Sequence, residues 1–281
     1  MPQDSSHDVE AIREWLAKES HLPTDFGDLI LKKFLHSCYG SLEKTKKCID
    51  RFCTTRATMS EAYCGRDPLD PKLQTAFEIT SVVTYPVNDN DELLIHQLDD
   101  PNLEKLVFYD LVKTFTIQAD NWLQHHDFLP DGHIIVFDLK DISLKILPKV
   151  NIMFFKDFLV FLLEGMPVRV KQVHAVNCPS YYDKLYSLIK PVLPAEICNI
   201  INFHTSSDAL HNFIDRKQLP LEYGGEAESI KVQQRHWVKT IEEERATYLN
   251  DNMWKADLNK KPRSNAVEAA MTGSFRTLSI D

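Results

Sequence analysis

Hydrophobic positions along this chain follow a helical period first, and a mixed strand-and-helix pattern later. Val9, Ile12, Trp15 and Leu16 recur at helical spacing, as do Phe26, Leu29, Ile30, Phe34 and Leu35. A third stripe comes next in Leu42, Thr45, Cys48, Ile49 and Phe52. Leu22-Pro23 breaks the first helix, Gly40 offers a C-cap to the second, and Ser41 an N-cap to the third. The spacing therefore predicts three short helices that pack on one another or on elements later in the chain. A turn-rich connector runs from Gly65 to Pro71, and residues 79–83 and 93–98 read as short strands joined through 86–91. Between 103 and 123, Leu106, Val107, Leu111, Val112, Phe115, Ile117 and Trp122 predict a long helix.

The stretch 131–225 holds three strand-like runs, 133–139, 168–176 and 200–203. Two very apolar helix-like segments, 150–163 and 181–193, separate them. That alternation predicts an α/β fold with a parallel sheet and crossover helices. Residues 220–225 end it in a turn, a helix follows around 237–248, and the chain turns polar past Lys260-Lys261-Pro262-Arg263.

Hydrophobic content of 43% and charged content of 26% are those of a globular protein. The net charge of −9 argues against nucleic-acid binding driven by a general positive field. The N-terminus has no signal-peptide pattern. The most apolar segment, 152–163, is interrupted by Lys156 and Asp157 and is shorter than the roughly 20 residues that span a bilayer. A cytoplasmic protein that meets membranes peripherally is expected. The six cysteines form no C-x-x-C pair and are expected to be free, buried or half-buried thiols.

Catalytic furniture is missing from the loops where α/β folds usually keep it. The eight glycines form neither G-x-G-x-x-G nor G-x-x-x-x-G-K, and there is no G-x-S-x-G. His125-His126-Asp127 and the His204…His211 pair are the places to look for a metal site, and both read as solvated polar residues. No enzyme, cofactor or metal is expected. The segment 150–163 is apolar nearly all round, which fits a buried core helix or the wall of a cavity. In 181–193, Tyr181, Tyr182, Leu185, Leu188, Ile189, Val192 and Leu193 make one apolar face, fitting a surface helix or a movable cover.

Several segments together resemble the CRAL-TRIO family of lipid-binding proteins. They are Asp131-Gly132-His133-Ile134-Ile135-Val136-Phe137-Asp138-Leu139, Met166-Pro167-Val168-Arg169-Val170-Lys171-Gln172-Val173-His174, Ile189-Lys190-Pro191-Val192-Leu193 and Leu219-Pro220-Leu221-Glu222-Tyr223-Gly224-Gly225. The branch they are most similar to is the tocopherol-transfer-protein group, and Gly273-Ser274-Phe275-Arg276-Thr277-Leu278 is similar to the ending of its insect members. The resemblance covers about residues 8–281. It implies a helical N-terminal domain over 8–65, a connector over 66–90 and a lipid-binding domain over 91–225. A C-terminal helix and tail over 226–281 would pack on the core. It also implies a deep apolar pocket closed by a mobile gate helix near 179–196. The pocket positions carried over are Val112, Phe115, Thr116, Ala119, Phe137, Ile142, Val150, Phe158, Phe161, Leu162, Met166 and Val170. The gate adds Tyr182, Tyr186, Ile189 and Leu193.

The departures bear on mechanism. Arg169 and Lys171 match phosphoinositide-contacting positions, but the two matching positions at the end of the gate are Glu196 and Ile200, which cannot pair with phosphate. His36 stands where relatives have an arginine, and Phe115 replaces a pocket serine of tocopherol binders. The expected function is binding and intermembrane transfer of a small hydrophobic ligand of tocopherol, retinoid, carotenoid or terpenoid type by a monomer. Thr116 or Tyr186 would orient the ligand. The alternative is a protein-interaction module with a vestigial pocket, docking through Trp237, Trp254 and the tail 259–281.

Overall fold

The computed structural model describes residues 6–262. Its N-terminal part is helical: α1 (Ser6–Leu16), α2 (Asp28–Ser37), α3 (Leu42–Thr58) and α4 (Ser60–Tyr63). Gly40 ends α2 at φ 74°, where its N–H donates to the Leu35 carbonyl. The Ser41 side chain accepts from the Lys44 amide and caps α3. The expected connector contains a further helix, α5 (Pro71–Ile79). Asp70 caps it through the Lys72 amide, and Pro71 occupies its first turn, where a missing N–H costs nothing.

Next come β1 (Thr80–Val87), β2 (Asp91–Leu98), α6 (Phe108–His125) and β3 (Gly132–Asp138). They are followed by α7 (Ile152–Glu164), β4 (Val170–Val176), α8 (Tyr182–Ile189), α9 (Ala195–Ile200) and β5 (Ile201–Phe203). The helix α6 starts later than the pattern suggested, because the Asp100 carboxylate accepts from the amides of Glu104, Lys105 and Leu106 and holds them in a loop. Past α8 the chain tightens into a 310 turn at Lys190–Val192, since Pro191 cannot continue an α-helix. The expected cover is thus two helices with a turn between them. The last elements among the described residues are 310 turns, α10 (Ile230–Glu243) and α11 (Arg245–Tyr248).

The five strands run in the order β1-β2-β3-β4-β5, with β1 antiparallel to β2 and every other neighbour pair parallel. Pro86 falls at an exposed position of the edge strand β1, a place where a missing donor is tolerated. One face of the sheet is dry: Val83, Leu93, Ile95, Ile134, Val136 and Val176 pack under Leu210, Ile214, Leu219, Tyr223 and Ile230. A Cβ on Gly225 would lie 1.9 Å from the Leu219 carbonyl oxygen, so the turn that brings this cover back demands glycine.

The N-terminal helices do not form a core of their own. Phe34, Ile49, Phe52 and Tyr63 share one buried cluster with Val112 and Trp122 of α6, with Phe158 and Phe161 of α7, and with Met253, Trp254 and Ala256. Trp254 is buried against Phe26 and Phe52 and is core, not a docking surface; Trp237 is half-buried against the same cluster. The tail motif 273–278 and the segment 263–281 lie outside the described residues.

Asp120 of α6 fixes this shared core. It takes two hydrogen bonds from Arg56 of α3, at 2.9 and 2.6 Å, and one from Arg66 of the connector at 2.6 Å. All three side chains are 1% exposed. Arg56 Nε also donates to the Met253 carbonyl, and its guanidinium lies 4.2 Å from the Tyr63 ring centre. Burial opposes the charge on Asp120, but the two guanidinium groups outweigh it and hold the carboxyl below its ordinary range.

A second polar knot sits where α2, α6 and the sheet meet. Glu92 is 1% exposed and accepts from Trp122 Nε1 at 3.1 Å. His126 Nε2 lies 2.8 Å and His133 Nε2 3.4 Å from its carboxylate. Burial would raise the Glu92 pKa, but hydrogen bonding and charge from the two histidines bring it to about 2. His126 is therefore not the solvated residue that the sequence suggested, whereas His125 pairs with Glu244 at the surface. Lys33 of α2 donates to the Trp122 and Leu123 carbonyls at the end of α6, and burial lowers its pKa to about 8.

Two outcomes test this. Asp120→Ala leaves two buried guanidinium groups without a counter-charge and should cost ~3–5 kcal/mol in urea unfolding. Glu92 has a folded pKa near 2 against an ordinary 4.5, so its contribution is present above pH 4.5 and is lost as pH falls towards 2. Unfolding free energies measured across that window should fall more steeply for the native chain than for Glu92→Gln.

Candidate functional site

The second face of the sheet is not dry. Residues alternate across a strand, so Leu94 and His96 of β2 face the side opposite Leu93 and Ile95. Their register partners Ile135 and Phe137 share that face, as do Val173 and Ala175 of β4 and Ile201 and Phe203 of β5. Phe137 is 37% exposed although β3 is an inner strand, while Val136 beside it is 0% exposed. Leu94, His96, Ile135, Ile201 and Phe203 are half-buried. Accessible apolar surface on interior strands, on the side of the crossover helices, marks a gap between sheet and helices.

Helix packing explains the gap. The backbone of α7 approaches α3 and the 310 turn after α8, and it approaches no strand to the same extent. Phe161 draws α7 towards the N-terminal helices, with its ring 6.4 Å from Phe52 and 6.0 Å from Tyr63. On α6, Thr116 and Asp120 face the N-terminal side, leaving Phe115 and Ala119, a four-residue step apart, for the other. Phe115 meets Phe158 of α7 at 5.8 Å and His96 of β2 at 6.4 Å, and His96 meets Phe137 at 5.8 Å. At the far edge Tyr182 and Tyr186 of α8 lie 5.2 and 4.7 Å from Phe203. One end is closed by the Glu92 knot, which lies on the same sheet face as Leu94 and His96.

The structure sorts the sequence-predicted site residues into two groups. Phe115, Ala119, Phe137, Leu162, Val170, Tyr182, Tyr186, Ile189 and Leu193 keep accessible surface, and Phe115, Ala119 and Leu162 also pack partly against the shared core. Ile142 and Val150 are also half-buried, with Ile142 packed partly against Ile79 and Leu98. Val112, Phe158, Phe161 and Met166 are buried in the shared core, with Phe158 bridging it to Phe115. Thr116 is 1% exposed and its hydroxyl lies 2.8 Å from the Ala62 carbonyl, so it points away from the gap and is not placed to orient a ligand there.

Arg169 and Lys171 are engaged within the chain. Arg169 donates to the Ser37 and Asp131 carbonyls, and its guanidinium lies 3.9 Å from the Tyr39 ring centre. Lys171 Nζ donates to Asp91 at 2.6 Å. His36 hydrogen-bonds the Pro130 carbonyl, and burial lowers its pKa. Glu196 and Ile200 are half-buried on α9. The His204…His211 reading also changes, because His204 pairs with His174 at 2.9 Å.

Sequence reasoning passed over His96. The signal was present: once 93–98 is a strand with Leu93 and Ile95 on its dry side, His96 must share the other side with Leu94. Among the described residues no helix is long and apolar enough to cross a membrane.

Two family profiles match parts of this chain. Residues 1–73 match the profile of the Pinta-like UBA domain. The human alpha-tocopherol transfer protein-like protein is 25% identical over 228 residues, covering 80% of this chain and 67% of the relative. Rat clavesin-1 is 29% identical over 119 residues, covering 42% of this chain and 34% of the relative. The crystal structure of Sfh5 aligns with 88% of this chain and 98% of its own at 14% identity, with a TM-score of 0.49. The CRAL/TRIO domain profile matches residues 81–225, more than half of the chain and all of the sheet but its first residue, and the protein belongs to the CRAL/TRIO family.

Proposed function

We propose that this protein binds one small hydrophobic molecule in the gap between the sheet and α6–α7 and carries it between membranes without changing it. The single observation that carries this reading is accessible apolar surface on an inner strand, above all Phe137. Removing such surface from water is worth roughly 25 cal/mol per Å². A tocopherol, retinoid, carotenoid or terpenoid is the class of ligand that apolar walls of this kind suit. The relatives, one of them named for tocopherol transfer, support it.

The α8–turn–α9 segment is the proposed cover, with Tyr182 and Tyr186 inward and Leu188 outward, the last 51% exposed. Met153 of α7 is 64% exposed, and with Leu188 it offers apolar anchors for transient contact with a bilayer. Arg169 and Lys171 are occupied by the protein's own groups, so membrane contact through a phosphoinositide headgroup would have to displace those contacts. The working unit is proposed as a cytoplasmic monomer comprising the helical domain 8–65, the connector 66–90, the lipid domain 91–225 and the C-terminal segment 226–281. No cofactor, metal or catalytic residue is invoked.

Native mass spectrometry of delipidated protein exposed to a total lipid extract should show a one-to-one complex with an apolar molecule. Protein that emerges without bound lipid contradicts the reading and leaves the interaction-module alternative.

Two phenylalanines separate the pocket from the core. Phe161→Ala should cost ~3–5 kcal/mol of stability, because the side chain is fully buried among Phe52, Tyr63 and Phe158. Phe137→Asp should abolish ligand retention at a smaller cost in urea unfolding, since its ring already meets accessible space. Equal stability losses with ligand retained by both variants would show that Phe137 is ordinary core.

A further inference from the structure

Rows of side chains cross the helix-facing side of the sheet in register. One is Leu94, Ile135, Val173 and Ile201; the next is His96, Phe137, Ala175 and Phe203. In these eight positions His96 is the polar member. It is half-buried, and the Phe115 and Phe137 rings lie on two sides of it, at 6.4 and 5.8 Å. A solvent-facing histidine needs no explanation, but this one is on the second strand of the sheet beneath a helix. Among the described residues no other side chain hydrogen-bonds its ring. Other polar groups on this face are less accessible: Glu92 and His133 lie 3.4 Å apart and are buried, and Thr84, the β1 partner of Leu94, is buried at 4% exposed. The Thr116 hydroxyl is turned to Ala62.

The half-buried ring meets water in the unliganded protein, and a ligand that displaces that water must replace its hydrogen bond or lose affinity. Burial among the apolar side chains lowers the His96 pKa to about 4, and no charged side chain contributes to that shift. The ring is therefore neutral near pH 7, with one N–H to donate and one ring nitrogen to accept. A hydroxyl group both donates and accepts, and so complements it. A carboxylate or phosphate would meet no counter-charge, and a hydrocarbon would leave the ring unpaired.

We propose that His96 is the polar anchor of the ligand site, hydrogen-bonding the hydroxyl of a neutral lipid alcohol whose apolar body lies along Phe115 and Phe137. The inference rests on the binding function proposed above and narrows its ligand class. Selectivity then comes from the imidazole, and the aromatic walls supply affinity common to alcohols and hydrocarbons.

The test uses the delipidated full chain with two alcohols, retinol and phytol, each paired with the hydrocarbon that lacks the hydroxyl. Affinities are read by competition in native mass spectrometry. The native chain should favour alcohol over hydrocarbon by about tenfold, the effect of one net hydrogen bond. His96→Leu should lose that preference while binding the hydrocarbons at least as tightly, which also shows that the variant is folded. His96→Gln, which can still donate and accept, should restore most of the preference. An unchanged preference in His96→Leu, or none in the native chain, overturns the anchor but leaves the apolar site standing. A native chain that binds neither alcohols nor hydrocarbons overturns the site itself, and the anchor with it.

Discussion

The buried bond between Asp120 and two arginines is the constraint on which the remaining structure depends. Asp120 belongs to α6, Arg56 to α3 and Arg66 to the connector, and Arg56 also holds the Met253 carbonyl near the end of the described chain. Four separate stretches are therefore registered by one carboxylate. Buried charges of this kind add little net stability over a well-packed apolar core, but they penalise every arrangement that separates them. Here the penalty fixes which side of α6 faces the N-terminal helices.

That orientation shapes the proposed site. With Thr116 and Asp120 turned to the N-terminal side, Phe115 and Ala119 are left for the sheet side. The helix α7 is drawn the same way by Phe161, which shares a core with Phe52 and Tyr63. Two helices that would ordinarily close down on a parallel sheet are thus anchored from behind. The sheet keeps one dry face, packed under Leu210, Leu219 and Ile230, and one face with accessible apolar surface. The N-terminal helices share a core with α6 and α7 on the side away from the sheet.

Much of the fold was legible in the chain. Strand-and-helix alternation between β3 and β5 specified parallel crossovers, and Ser41 and Gly40 marked helix ends that the structure uses. The helix α5 was missed because Asp70-Pro71 signals a turn and a helix start equally well, and only burial of Leu73 and Phe77 decides between them. The Glu92 knot was not legible at all: its members come from β2, α6, the loop after it and β3, and nothing local to His126 announces a carboxylate 2.8 Å away. The site was legible in outline only. Periodicity could say that α7 is apolar all round, but not that Phe161 turns to the N-terminal helices while Leu162 keeps accessible surface. Thr116 shows the same limit, since a hydroxyl on an amphipathic helix can serve a cavity or a neighbouring carbonyl.

The central claim is that apolar molecules occupy the space between the sheet and α6–α7. Photolabelling tests it most directly: the full chain is loaded with a diazirine-bearing long-chain alcohol, irradiated, and mapped by peptide mass spectrometry. Occupancy of that space predicts adducts on the β2, β3 and α6 peptides that carry His96, Phe137 and Phe115, suppressed by excess unlabelled alcohol. Adducts confined to exposed side chains such as Met153 and Leu188, and insensitive to competitor, would contradict it.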